Sequence, residues 1–314
     1  MDSPFAFVSL LLVSTLRIAV PYLFAALGGW FSERSGVVNI ALEGNLLNGA
    51  FAAVLVASLA ESHGIAGATA AWFGVLGALV AGMATGALHA LVTIRFRADQ
   101  IVSGLGINLL AVGLTEFLLK VVYGSAANSS RVQGLPVWEI PLLSDWSVTR
   151  ILLCTPLVLL GWLSVVLVDQ VARRSVFGLR LHAAGEHPEA AQSLGVNVVR
   201  IRWTGVILSG ALAALGGAWL ALDQHQFTAG MSGGRGFIAL AALIFGRWTP
   251  RGAAMACVLF AGAEAAQIQL QGGAIPIPTQ LLQMLPYVVT MVALAGFIGR
   301  SRAPAALGRP LDVD

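Results

Sequence analysis

A single lysine, Lys120, serves all 314 residues. The Gly-x-x-x-x-Gly-Lys-Ser/Thr loop that cradles nucleotide phosphates is therefore missing. If ATP drives this protein, another subunit must hold it. Charge of either sign is scarce, at 11%, where a soluble domain carries about 25%. The two cysteines, Cys154 and Cys257, lie within apolar runs, as small buried hydrophobes do, so no disulfide is expected. His182 and His187 are spaced i, i+5, which is wrong for a helical metal pair, and His63, His89 and His225 are isolated. No Ser/His/Asp or Cys/His set converges in sequence. The chain is expected to be no enzyme and to bind no metal or cofactor. Its basic residues are scattered rather than clustered, which excludes a nucleic-acid footprint.

Apolar residues fill the space left by charge. They make up 57% of the chain, and the mean hydropathy is +0.83. This composition implies an all-α, polytopic membrane bundle forming one domain over 1–314. About 20 apolar residues cross a bilayer. Nine stretches qualify or nearly do: 9–30, 37–60, 68–94, 101–122, 151–168, 203–222, 236–248, 252–270 and 281–299. The seventh is short enough to be a re-entrant half-helix. Residues 4–16 are apolar, but Met1-Asp2-Ser3 supplies no positive flank, so no cleavable signal peptide is expected.

Arginine placement sets the orientation. If the side holding 178–202 is inside and all nine stretches cross, thirteen basic residues lie inside and three (Arg131, Arg150, Arg235) outside. Counting 236–248 as re-entrant would move the arginine-rich tail outside, so it is taken as a span. The N-terminus is then outside and the C-terminus cytoplasmic.

The segment 178–202 is the longest polar interruption of the second half. Pro188 suits a first helical turn, Glu189 follows at the positive end of the helix dipole, and Gly195 can end the helix in a left-handed cap. This spacing predicts a short helix, either an ordinary connection or a docking element. The loops 123–150, with Trp138 and Trp146, and 223–235, rich in glycine, are expected on the outer side. They are solvated connections, or they line an entrance.

Two glycine-bounded segments, Gly36–Gly44 and Gly236–Gly246, share Ile-Ala-Leu and follow a span and a polar turn. In the topology above they run in opposite directions. Spans 1–4 and 6–9 would then be inverted repeats flanking span 5 and the polar helix, a layout that points to a transport site near the midplane. Polar residues near these segments are the pathway candidates: Asn39, Glu43, Asn45, Asn108 and Gln267. Asn39 and Glu43 share a helix face. They could line a pathway or tie a structural knot at its edge. Asn108 could instead bond a neighbouring helix. Glu264, Gln267 and Gln271 form a stripe that should avoid lipid. Glu33 and Arg34 are expected at the membrane interface. Gly/Ala runs at 77–90 and 210–218 predict close helix packing.

Four motifs occur in order along both halves: Gly28-Gly-Trp-Phe-Ser-Glu-Arg-Ser-Gly-Val-Val-Asn-Ile-Ala-Leu-Glu-Gly44, Ala98-Asp-Gln-Ile-Val-Ser-Gly-Leu-Gly-Ile-Asn108, Ala184-Gly-Glu-His-Pro-Glu-Ala-Ala-Gln-Ser-Leu-Gly195 and Gly234-Arg-Gly-Phe-Ile-Ala-Leu-Ala-Ala-Leu-Ile-Phe-Gly246. With them the chain resembles permease subunits of ABC importers of the ribose/branched-chain amino acid superfamily, most of all the nucleoside and simple-sugar permeases. The resemblance implies a coupling role for Glu186, Pro188, Glu189, Ala190, Ala191 and Gly195, which match the cytoplasmic loop that docks on the ATPase. It further implies partners: a cytoplasmic ABC ATPase carrying ATP and Mg, an external substrate-binding lipoprotein, and a second homologous permease. The pair would be a heterodimer, with a homodimer left open, in the lipid of a bacterial plasma membrane. Nucleosides are the implied cargo and simple sugars the alternative. Trp219, Phe227, Asn108 and Gln267 are the stacking and amide candidates for a nucleoside. An ion-coupled secondary transporter is a further, different reading.

Overall fold

The computed structural model describes residues 4–137, 155–271 and 302–310, with a few isolated positions between 280 and 292. Ten helices are described. They are α1 (Pro4–Arg34), α2 (Leu42–Ser62), α3 (Gly67–Ala90, continued by a π turn at Leu91–Arg95), α4 (Gln100–Tyr123), α5 (Pro156–Arg174), α6 (Val176–Glu186), α7 (Pro188–Ser193), α8 (Val198–Asp223), α9 (Arg235–Phe245) and α10 (Pro250–Gln271). Among the described residues there is no strand, only an isolated bridge between Asn128 and Thr228.

Local sequence sets the ends of these helices. The Asp99 carboxylate accepts from Ile101 N and Val102 N, both at 2.9 Å, to start α4. Asn197 does the same for α8 through Arg200 N, and Ser175 for α6 through Gly178 N. Each satisfies donors that the first helical turn leaves unpaired. Pro156, Pro188 and Pro250 stand at the first position of α5, α7 and α10, where a missing N–H costs nothing.

The centre of the bundle is α8, which packs on α1, α2 and α3. Small residues permit this. A Cβ on Gly210 would lie 2.1 Å from Gly82 O, and one on Gly217 would lie 1.9 Å from Leu46 O. The backbones therefore touch, as they do in lipid where dispersion rather than water exclusion drives helix association. The Gly/Ala runs act as the sequence suggests. Trp30, Phe24 and Phe227 are among the largest fully buried side chains.

Seven helices are long and apolar enough to cross a membrane, with the eleven-residue α9 as a shorter apolar element. Counted among the described residues, they match seven of the nine expected stretches. Residues 281–299 lie almost wholly outside the described residues, as do 138–154, including Trp138, Trp146 and Cys154. The stretch 236–248 is no spanning helix, since α9 rises only about 16 Å against a hydrocarbon core of about 30 Å. The chain nonetheless covers most of that depth between α8 and α10. Asp223 bonds Arg17 on α1, whereas Trp248 O accepts from Trp30 and Arg34 on the same helix. Those two levels of α1 are about 20–25 Å apart. An irregular stretch, 224–234, covers the first part and α9 the rest. The start of span 2 is also not helical, for 35–41 is irregular and α2 begins at Leu42.

Candidate functional site

The two irregular stretches meet. Between them lies Glu43, in the first turn of α2. One of its carboxylate oxygens accepts from Gly234 N at 2.8 Å and the other from Gly236 N at 2.7 Å, both in the first turn of α9. The carboxylate thus sits between two helix N-termini, where the macrodipoles favour negative charge. A Cβ on Gly236 would fall 2.3 Å from Glu43 N, so the two helix starts are in backbone contact. Here the geometry is that of the knot rather than the lining, because both oxygens of Glu43 are taken by main chain.

Asn108 serves the same region. Its Oδ1 accepts from Gly44 N at 2.8 Å, and its Nδ2 donates to Ile40 O at 3.0 Å. The side chain substitutes for the helical bonds that residues 35–41 cannot make. Asn39 donates to Ser209 Oγ at 2.8 Å, while its Oδ1 and both polar atoms of Asn45 are buried without a protein partner. Gln267 is half-buried on α10. Its neighbour in the stripe, Glu264, takes a bond from Arg235 Nη2 at 2.6 Å and another from Tyr22 OH. Those two partners shield Glu264, whereas Gln271 at the end of the stripe is exposed.

The aromatic candidates do not join this group. Phe227 is fully buried and packs edge-on against Phe51 at 5.3 Å. Trp219 is 4% exposed, with the Arg17 guanidinium 6.0 Å from its ring centroid. The loop holding Phe227 is pinned by the loop after α4, through Ser129 N to Phe227 O, Val132 N to His225 O and Ala229 N to Ala127 O, each at 2.9 Å. These two loops therefore pair with each other rather than standing as separate solvated connections.

At the Arg34 end lies the polar segment. The helix α7 forms where Pro188 and Gly195 predict it. Gly195 has φ +80, and its N–H bonds Gln192 O at 2.9 Å while Val196 N bonds Ala191 O at 3.0 Å. Ala191 is buried against Ala184 and Val198. Glu189, Ala190 and Gly195 face outward, and so does Leu194, which is 84% exposed. Sequence reasoning missed Leu194; its signal is an apolar residue beside a capping glycine within a polar segment. Glu186 points the other way. It pairs with Arg34 at 3.3 Å and accepts from Ala305 N at 3.2 Å, so it anchors the segment while its side chain stays partly exposed.

Glu33 is buried within the protein. It is 3% exposed and takes the indole N–H of Trp248. Arg34 donates to Trp248 O at 3.0 Å, and Trp30 stacks edge-on with His182 at 5.7 Å. Burial first, and then the Arg34 charge, hold His182 below its ordinary value. Arg202, also missed, is 2% exposed and donates to Ser35 O at 3.2 Å and to Arg309 O at 2.9 Å. It shapes the first break from behind, since a Cβ on Gly36 (φ +97) would meet its Nη2 at 2.9 Å.

A multi-pass helical membrane protein, with a half-helix started inside the bundle and a short exposed helix between spans, is the class this architecture defines. The family described as branched-chain amino acid transport system / permease component matches residues 11–294, and the chain belongs to it. The guanosine ABC transporter permease protein NupQ of Bacillus subtilis (strain 168) is 41% identical over 313 residues, covering 96% of each chain. The nucleoside ABC transporter permease protein NupC of Lactococcus lactis subsp. cremoris (strain MG1363) is 41% identical over 312 residues, 94% of this chain and 97% of that one. The glucose ABC transporter permease protein TsgB13 of Haloferax volcanii is 27% identical over 319 residues, 95% of this chain and 80% of that one.

Proposed function

We propose that this chain is the membrane permease subunit of an ATP-driven ABC importer for nucleosides or related nucleobase compounds. One observation carries the cargo: two relatives named for guanosine and nucleoside transport match nearly the whole chain at 41% identity. Two relatives from Haloferax volcanii named for glucose transport match at 33% and 27%, which keeps simple sugars as the second reading. ATP and Mg are held by a cytoplasmic ATPase, and an external lipoprotein receptor delivers the substrate. A second, homologous permease completes the pathway as a heterodimer. The chain sits in a bacterial plasma membrane with its N-terminus outside and its C-terminus cytoplasmic, which the thirteen-to-three arginine bias supports when 224–245 together make one crossing and 281–299 another. Helices α1–α4 and α8 onward form inverted repeats, the two half-crossings 35–41 and 224–234 being their matched breaks. Pathway roles for Asn39, Asn45, Asn108 and Gln267 belong to this reading, with Glu43 holding the breaks together.

Coupling runs through α7. Glu189, Ala190 and Gly195 offer the ATPase an exposed face, with Pro188, Ala191 and Glu186 fixing the helix beneath it. Motion of α7 reaches α1 through the Glu186–Arg34 pair and through Gly185, where an added Cβ would lie 2.2 Å from Arg34 O. Nucleotide binding shifts access only by as much as it favours one state over the other.

Two experiments test this. The purified receptor is titrated with a nucleoside and sugar panel. Tight binding of nucleosides is expected, and a receptor that takes only pentoses or hexoses rejects the cargo. In the second, Glu189→Lys and Gly195→Pro should lose ATPase co-purification at least tenfold, about 1.4 kcal/mol, while inserting normally. Wild-type retention in both rejects the coupling assignment.

A further inference from the structure

Beside α7 lies a groove of about 770 Å³, with Pro188, Glu189 and Ala190 on one wall and Ala305, Arg309 and Pro310 on the other. The second wall is the carboxy-terminal segment 302–310. Terminal segments fray unless something ties them down, and this one is tied at four points. Ala306 N donates to Gly185 O at 2.8 Å and Gly308 N to Gly36 O at 3.2 Å. Ala305 N donates to Glu186 Oε2 at 3.2 Å, and Arg309 O accepts from Arg202 at 2.9 Å.

The anchors are informative. Gly185 and Glu186 immediately precede α7, Gly36 is the first break, and Arg202 is in the first turns of α8. The segment is thus fixed to the same frame from which α7 projects. Both hydrogen bonds from Arg202 go to main-chain carbonyls, Ser35 O and Arg309 O. Ala306 is 4% exposed and seats the segment, whereas Ala305, Arg309 and Pro310 remain exposed. The groove they form has apolar surface from Pro188, Ala190, Ala305 and Pro310, with Glu189 on one wall and Arg309 on the other.

We infer that residues 302–310 are the second wall of the ATPase-docking surface, so that the ATPase grips α7 and the carboxy-terminal segment together. This rests on the coupling role proposed for α7. The occupant is the ATPase because the groove is continuous with the exposed face of that helix. Its lining, apolar at Pro188, Ala190, Ala305 and Pro310 and charged at Glu186, Glu189 and Arg309, suits a protein segment that carries both apolar and charged side chains. Gripping both walls would transmit motion to α1 and α8 at once, through Gly36 and Arg202.

The test uses the assembled transporter in nanodiscs. Ala305→Trp fills the groove from an exposed position, and Arg309→Glu reverses one wall while keeping the carbonyl that Arg202 holds. Each should lower ATPase retention about tenfold, about 1.4 kcal/mol, with normal insertion and thermal midpoint. A photo-crosslinking residue at 305 should capture the ATPase. Loss in Glu189→Lys with both tail variants within twofold of wild type overturns this inference and leaves the α7 reading standing. Wild-type retention in Glu189→Lys overturns the α7 reading itself. Capture of a second permease copy or of lipid at 305 also overturns the inference.

Discussion

The two irregular stretches, 35–41 and 224–234, face the same difficulty and meet it with different chemistry. Lipid offers no hydrogen bonds, so backbone that is not helical must find partners within the protein. The first stretch is held mainly by neutral side chains. Gln100 accepts from Val38 N at 2.7 Å, Asn108 donates to Ile40 O, and the His89 Nε2–H donates to Val38 O at 3.0 Å. A carbonyl can only accept, so that contact sets the His89 tautomer and leaves Nδ1 to accept from Ser103 Oγ. The second stretch is held by a neighbouring loop along its length and by carboxylates at its base, Glu43 on the backbone of α9 and Glu264 on Arg235. Apart from Arg202 on Ser35 O, neutral bonds hold the first break, whereas charge-assisted bonds, which run about twice as strong, hold the base of the second. The second break should therefore depend more heavily on single residues.

Four substitutions at three residues bear on that contrast. Glu43→Ala should have the largest effect. It strands Gly234 N and Gly236 N inside the bundle and should cost about 3 kcal/mol, read as a lowered thermal midpoint in nanodiscs. Glu43→Gln, which keeps one acceptor, should recover about half of that. Asn108→Ala removes two neutral bonds and should cost about 2 kcal/mol. A loss at Asn108 equal to or above that at Glu43 would break the comparison. Asp223→Asn should be the mildest. Its pair with Arg17 is between side chains 44% and 33% exposed, and such pairs contribute about 0–1 kcal/mol. A larger loss there would mean that the Arg17–Asp223 end, rather than the base of α9, holds the second break.

Much of the helical layout is legible in the sequence. Hydropathy locates α3, α4 and α10 to within a few residues, since each is a long apolar run with a capping or glycine signal at an end. Pro188 and Gly195 bracket α7 correctly. The breaks are harder to see. Residues 37–41 are as apolar as a span, and only Gly36 hints that the helix cannot simply continue. Glu43 finds its partners at Gly234 and Gly236, roughly two-thirds of the chain away, and no local pattern announces a contact between two backbone donors and a distant carboxylate. Aromatic residues mislead for a related reason. Phe227 stands in a polar, glycine-rich loop, as a ligand-stacking residue would, but pairing with residues 127–132 folds it into the core. Arg202 is read from sequence as one more inside arginine, although it is the buried residue that joins the first break to the carboxy-terminal segment.

The most direct test of the whole account is uptake into proteoliposomes holding this chain with its second permease and ATPase, supplied with receptor and a labelled nucleoside. Accumulation should require ATP, survive collapse of the proton gradient, and vanish in Glu189→Lys although the variant inserts normally. Uptake that persists without ATP and disappears when the gradient is collapsed would contradict it, and would make the chain an ion-coupled carrier.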